Sequence, residues 1–301
     1  MTGEKPLAWM SRPEGGGRLA LWFVRTLALR VGRSPARLVL VAVAAYYVVR
    51  RGPERRASRR FLERALGRPA TLVDVWRHMF TFAAVTLDRI FLLTEEFRRF
   101  DVQTHGLEEV YATLDFSKGA LFIGAHVGSF DALRVLALQK PGLQVRPVID
   151  LQQNPTVSIL LNSLNPQIAA SIINARQDGT ATALAINEAL WQGAVVTLLA
   201  DRARPGNALV DAEFLGRPAS FPTAPWLLAA VLRVPVVLCF GLYRGGRRYD
   251  LYFETFTDSL VIPRAERAVV VRQVVQRFAD RLSHYVRLAP YNWFNFYDLW
   301  T

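Results

Sequence analysis

The chain has 301 residues, 51% of them hydrophobic and 21% charged, which suits one large buried core or a core with a small appendage and argues against global disorder. A single cysteine, Cys239 within VPVVLCFGLY, excludes an internal disulfide and cysteine-ligated zinc, and points to a buried, inert thiol. The formal net charge of +12 calls for an anionic partner: nucleic acid, lipid or an acidic protein.

The charge is concentrated at one end. Residues 1–70 hold 15 Lys+Arg against Glu4, Glu14, Glu54 and Glu63, a net of +11, so the rest of the chain is nearly neutral. In RLALWFVRTLALRVGR, residues 18–33, helical spacing gathers Arg18, Arg25, Arg30 and Arg33 within an arc of about 140°. Leu21, Phe23, Val24, Leu27 and Val31 lie opposite, while Trp22 and Leu29 fall on the arginine side. SPARLVLVAVAAYYVV supplies Ser34 as an N-cap and Pro35 at the first helical position. Its uncharged stretch from Leu38 to Val49 would extend about 18 Å as a helix, short of a bilayer core of about 30 Å, so a spanning helix is not expected.

Pro53 can start a further helix carrying Arg55, Arg56, Arg59, Arg60 and Arg64. Three such elements suit the interface of an anionic membrane, and a helical cap with solvated arginines is the alternative. No nucleic-acid-binding motif accompanies the arginines. A cleavable signal peptide is not expected, because the first apolar run begins late and arginines interrupt it. We therefore divide the chain into 1–70, basic amphipathic membrane-interface helices, and 71–301, an α/β domain.

Thr71 and Asp74 stand at capping spacing before a long amphipathic helix that carries His78, read as a surface or packing residue. From residue 102, strand-like and helix-like runs alternate: ALFIGA, GSFDALRVLALQ, LQVRPV, ASIIN, ATALAINEALWQG and AVVTLLA. That rhythm predicts an α/β fold with a mostly parallel central sheet flanked by helices. PVVLCFGLYR and RRYDLYFETF, separated by Gly245 and Gly246, predict a hairpin, and ERAVVVRQVVQRFADRLSHYVRLA a closing helix. His105, before a turn glycine, and His284, on the closing helix, read as structural.

Functional groups in open α/β sheets gather at the carboxyl edges of strands. His126 follows ALFIGA, Asp201 follows AVVTLLA, and Arg146 lies in or near a third strand. On one helix, the H-x-x-x-x-D spacing would leave His126 and Asp131 about 140° apart. A turn at Gly128 with Ser129 as N-cap would let Asp131 face back, fix the ring tautomer and leave the other nitrogen as a base. A structural strand-end histidine fits the spacing as well. No G-x-S-x-G elbow supplies a protein nucleophile.

GAHVGSFD, VVTLLADR, EFLGRPASFPTAPWLLAAVLRVPVV and APYNWFNFYDLW together resemble the late acyltransferase family of lipid A biosynthesis, within the lysophospholipid-acyltransferase-like superfamily. The arm and tail are similar to the subgroup found in aryl polyene and xanthomonadin-type pigment-lipid pathways. The resemblance implies transfer of a fatty acyl group from acyl carrier protein, or acyl-CoA, to a hydroxyl of a membrane lipid or glycolipid at the cytoplasmic face of the bacterial inner membrane. It implies His126 as catalytic base and Asp131 as its orienting acid, and gives Asp201 and Arg202 a binding or positioning role. This sequence departs from the family's pattern: many relatives carry glutamate where Asp131 stands, and a downstream arginine of lipid A enzymes has no counterpart in LNSLNPQIAASI.

The backbone N–H groups near Val127 and Gly128, and the Arg146 guanidinium, are candidate oxyanion donors. Arg202 and Arg204 are candidate phosphate ligands. Gly216, Arg217 and Pro218 either shape an acceptor pocket or form a plain turn. No metal or redox cofactor is implied. The aromatic tail YNWFNFYDLW packs on the body, lines an acyl channel or meets the membrane. A noncatalytic lipid-binding protein and an acyl-thioester hydrolase are the alternative functions.

Overall fold

The computed structural model describes residues 26–133, 142–151, 161, 163–175, 179–203 and 206–300. Arg204 and residues 18–25, half of the first amphipathic segment, lie outside these residues.

Among the described residues, a helical stretch at 26–31 is followed by three helices: α1 (Arg33–Arg50), α2 (Gly52–Leu66) and α3 (Leu72–Leu92). Helix α1 begins after Gly32, whose φ of 101° is open to glycine, so Ser34 and Pro35 sit in the first turn and the cap is two residues earlier than expected. Pro53 opens α2 and a left-handed Gly67 closes it. The capping box at Thr71 and Asp74 forms with both of its hydrogen bonds. Ala36 and Leu40 of α1 share a cluster with Ala84, Leu87 and Phe91 of α3, while Ala44 of α1 and Phe61 and Leu62 of α2 enter the main core. The helices on both sides of residue 70 thus bury their apolar stripes against common neighbours.

Among the described residues, seven strands form one sheet in the order β1 (Asp101–His105), β9 (Arg248–Thr257), β8 (Val236–Gly245), β2 (Ala120–Gly124), β5 (Val195–Leu199), β3 (Val145–Ile149) and β4 (Ile173–Asn174). The run from β8 to β4 is parallel, as the βαβ rhythm implies. The β8–β9 hairpin reverses direction, and β1 follows β9 in parallel. Strand alternation serves two cores. Leu121, Ile123, Val196, Leu198, Val236 and Leu238 face one side; Ala120, Phe122, Val195, Val237 and Cys239 face the other.

On the first side lies α8 (Arg267–Leu288), which buries Val271, Val274, Val275, Phe278, Ala279 and Leu282 at helical spacing, with Ile186 and Ala189 of α6 (Gly179–Trp191) and Trp226 of α7 (Ala224–Leu232). Val110 of α4 (Leu107–Thr113) and Val85 and Leu92 of α3 cover the second. A short helix, α5 (Pro166–Ala170), precedes β4. Leu209–Phe214 and Arg217–Pro222 form a separate antiparallel hairpin, β6–β7, with Leu215 and Gly216 at its turn. Cys239 is buried, and burial pushes its thiol well above the ordinary range. No described helix is long and apolar enough to cross a membrane.

Candidate active site

Strands β2 and β5 pair in parallel, with Gly124 opposite Leu199. Two residues further on, the same register brings His126 beside Asp201 at the carboxyl edge of the sheet. The Asp201 carboxylate accepts the His126 backbone N–H through Oδ2 at 3.0 Å, and its Oδ1 lies 2.7 Å from the ring Nδ1. Asp201 is fully buried, whereas the His126 side chain keeps 31% of its surface exposed. With Nδ1–H donating to Asp201, Nε2 carries the lone pair.

The electrostatics keep the ring neutral and the acid ionised. Burial pushes the His126 value below that of a free histidine; Arg202 and Arg89 add to this and Asp201 opposes it. Burial would raise Asp201, but His126 and Arg202 together bring it down to about 2. A neutral imidazole fixed by a permanent carboxylate is able to accept a proton at neutral pH.

The loop after β2 folds as GAHVGSFD suggests. Gly128 has φ 61°, and a Cβ there would be driven into the carbonyl oxygen of Gly241 on β8. Ser129 donates its backbone N–H to that same oxygen at 2.7 Å, and its Oγ accepts from Ala132 N. The turn nevertheless delivers Asp131 to a different partner. Arg89 on α3 donates Nε–H to Asp131 Oδ2 at 2.6 Å. The carboxylate at His126 Nδ1 is therefore that of Asp201, not of Asp131, because the β2–β5 register acts across the sheet while the turn aims residue 131 at α3.

The candidate oxyanion donors are otherwise engaged. Val127 N donates to Ala125 O and Gly128 N to Asn292 O, both at 2.7 Å. Arg146 pairs with Val196 in the sheet, level with Leu121 and so about 16 Å along the strands from His126. Its guanidinium reaches toward Gln192 beside α6. Arg202 donates Nε–H to Asn295 Oδ1 and Nη2–H to the Phe294 carbonyl, both at 2.7 Å, so it ties the tail to the site. Gly216, with φ 80°, and the exposed Arg217 form the tip of the β6–β7 hairpin, where a Cβ on Gly216 would meet open space.

The tail supplies buried residues that contact the His126–Asp201 pair. Trp293 is fully buried and donates Nε1–H to Asp201 Oδ2 at 3.0 Å. Phe294 N donates to the His126 carbonyl at 2.8 Å. Asn292 accepts from Tyr243 N and donates to Tyr243 O, which locks the tail to β8. His78 is also fully buried: its Nδ1 meets Ser58 Oγ and its Nε2 the Trp293 carbonyl, each at 2.8 Å. The density of aromatic and amide side chains in YNWFN was the available signal. His105 stacks on Tyr252 and His284 lies edge-on to Tyr285, apart from this network.

Residues 19–301 match the family described as bacterial lipid A biosynthesis acyltransferase. The chain belongs to this family. The family supports lipid acyltransferase activity for the chain. No curated protein matched it.

Proposed function

We propose that this family member is an O-acyltransferase that moves a fatty acyl group from a thioester of acyl carrier protein or coenzyme A to a hydroxyl of a membrane lipid, glycolipid or pigment lipid. The pairing of a partly exposed His126 ring with buried Asp201 carries this reading. Nε2 takes the acceptor hydroxyl's proton as that oxygen attacks the thioester carbonyl. Collapse of the tetrahedral adduct breaks the carbon–sulfur bond, and the imidazolium returns the proton to the thiolate. The ester and the free thiol leave, and His126 is neutral again. Asp201 stabilises the transient imidazolium, while Asp131 acts through Arg89, holding that cation at the flank of the site.

Attachment to a membrane surface completes the reading. Leu38, Val41, Tyr46 and Val49 are exposed on one face of α1, opposite the buried Ala36, Leu40 and Ala44. An apolar face left exposed among the described residues, in the most arginine-rich part of the chain, suits an anionic bilayer surface.

The test is incubation of purified protein with radiolabelled acyl carrier protein or acyl-CoA and membranes from the producing cell. Labelled lipid that disappears with His126→Ala is the expected result. Labelled free acid formed at the same rate with or without membranes would make the protein a hydrolase. Full transfer by His126→Ala would overturn the assignment of the base.

A further inference from the structure

The Asp201 carboxylate has two oxygens with different duties. Oδ1 faces His126 Nδ1, whereas Oδ2 receives two N–H groups, from the His126 backbone and from the Trp293 indole. Two donors on one oxygen fix the plane of the carboxylate, and that plane points Oδ1 at the ring. The backbone N–H belongs to the same loop as the ring it serves. Trp293 comes from the far end of the chain.

Its carbonyl accepts from His78 Nε2, and its flanking residues are pinned to the loop by Gly128 N on Asn292 O and Phe294 N on His126 O. Phe61 and Phe214 pack against the indole with centroids 4.9 and 5.0 Å away. The indole therefore has no freedom to follow Asp201 if the carboxylate rotates.

We infer that Trp293 is a positioning residue that sets the tautomer and basicity of His126 through Asp201. An indole N–H on Oδ2 draws charge from the carboxylate and holds its orientation; without it, more charge faces the imidazole and the protonated ring is favoured. Among the described residues, the charged groups facing His126 are Asp201 and Arg202 after β5 and Arg89 of α3, the last bound to Asp131. Of these, Asp201 accepts the indole N–H. The inference rests on His126 as the base, but its first readout is independent of turnover.

That readout is the 15N NMR titration of His126 in the full-length protein in detergent micelles. Trp293→Phe should raise the apparent pKa of His126 by about half a unit or more and mix its two neutral tautomers. It should also lower kcat about tenfold with KM within about twofold, and move the acidic limb of the pH–rate profile upward. Phe61→Leu, which loosens packing on the indole without touching Asp201, should lower the melting temperature and leave the His126 titration in place. If Trp293→Phe does not fold, 3-benzothienylalanine at position 293 keeps the bicyclic shape and replaces the N–H by sulfur, and the same shift is expected. A folded variant whose His126 titrates as in the unmodified protein overturns the proposal, even if its turnover falls. A shifted titration combined with full transfer by His126→Ala would uphold the positioning and reject the catalytic reading.

Discussion

At His126, two influences oppose each other: burial and two arginines disfavour the charged ring, and Asp201 favours it. The balance gives a base that is free at neutral pH and gains its stabilisation only once it has taken a proton. Asp201→Asn should therefore cost about 10³-fold or more in kcat, near the loss from His126→Ala, because a neutral amide stabilises neither the tautomer nor the imidazolium. Asp131→Asn should cost less and should resemble Arg89→Ala, since the pair shares one 2.6 Å contact. Steady-state kinetics of the single variants and of the Asp131→Asn, Arg89→Ala double variant check this: the double variant is expected to be little worse than either single one. His126 itself was legible in the sequence, as a histidine ending an apolar run before a glycine–serine turn. Its partner was not, because H-x-x-x-x-D displays the neighbour in sequence while Asp201 is the neighbour in register, 75 residues away.

At the scale of elements, the loop after β2 is wedged backbone to backbone against β8. Gly128→Ala meets both a left-handed φ and the Gly241 carbonyl, neither of which a side-chain rotation relieves. A loss of about 3 kcal/mol or more is expected, read by chemical denaturation. Helix α3 is tied to α2 and to the tail by His78, which burial lowers to about 4 against the hydrogen bond to the Trp293 carbonyl. The unfolded chain takes up this proton near pH 6.5, and the folded one only near 4. Between those values the unfolded state binds more protons, so stability falls as pH drops from about 6.5 to about 4, by about 3 kcal/mol from this group. Urea unfolding across that range should show the slope, and His78→Gln should flatten it while lowering stability at pH 7. The capping box and the Pro53 helix start were readable because both depend on residues a few positions apart. The buried state of His78 was not, since a helical wheel does not reveal that the tail covers it.

Across the whole molecule, α1 buries one apolar face and exposes another. Leu38→Glu with Val49→Glu leaves the packed face untouched, so the folded fraction and melting temperature should change little. Association with vesicles containing anionic lipid should fall about tenfold or more, measured by sedimentation, because two apolar side chains lose their burial and two negative charges face a negative surface. Unchanged sedimentation would remove α1 from the membrane contact. By itself, the sequence determined the alternation of strands and helices, the largely parallel sheet, the β8–β9 hairpin and the strand-end position of His126. These follow from hydrophobic period and from capping and turn residues, which act over one turn of helix or one strand. Only the tertiary structure decided which acid meets His126, where Arg146 points and what the aromatic tail does. Those outcomes depend on strand order and on register, and a shift of one residue in the β2–β5 pairing would have faced His126 with Ala200 or Arg202 in place of Asp201.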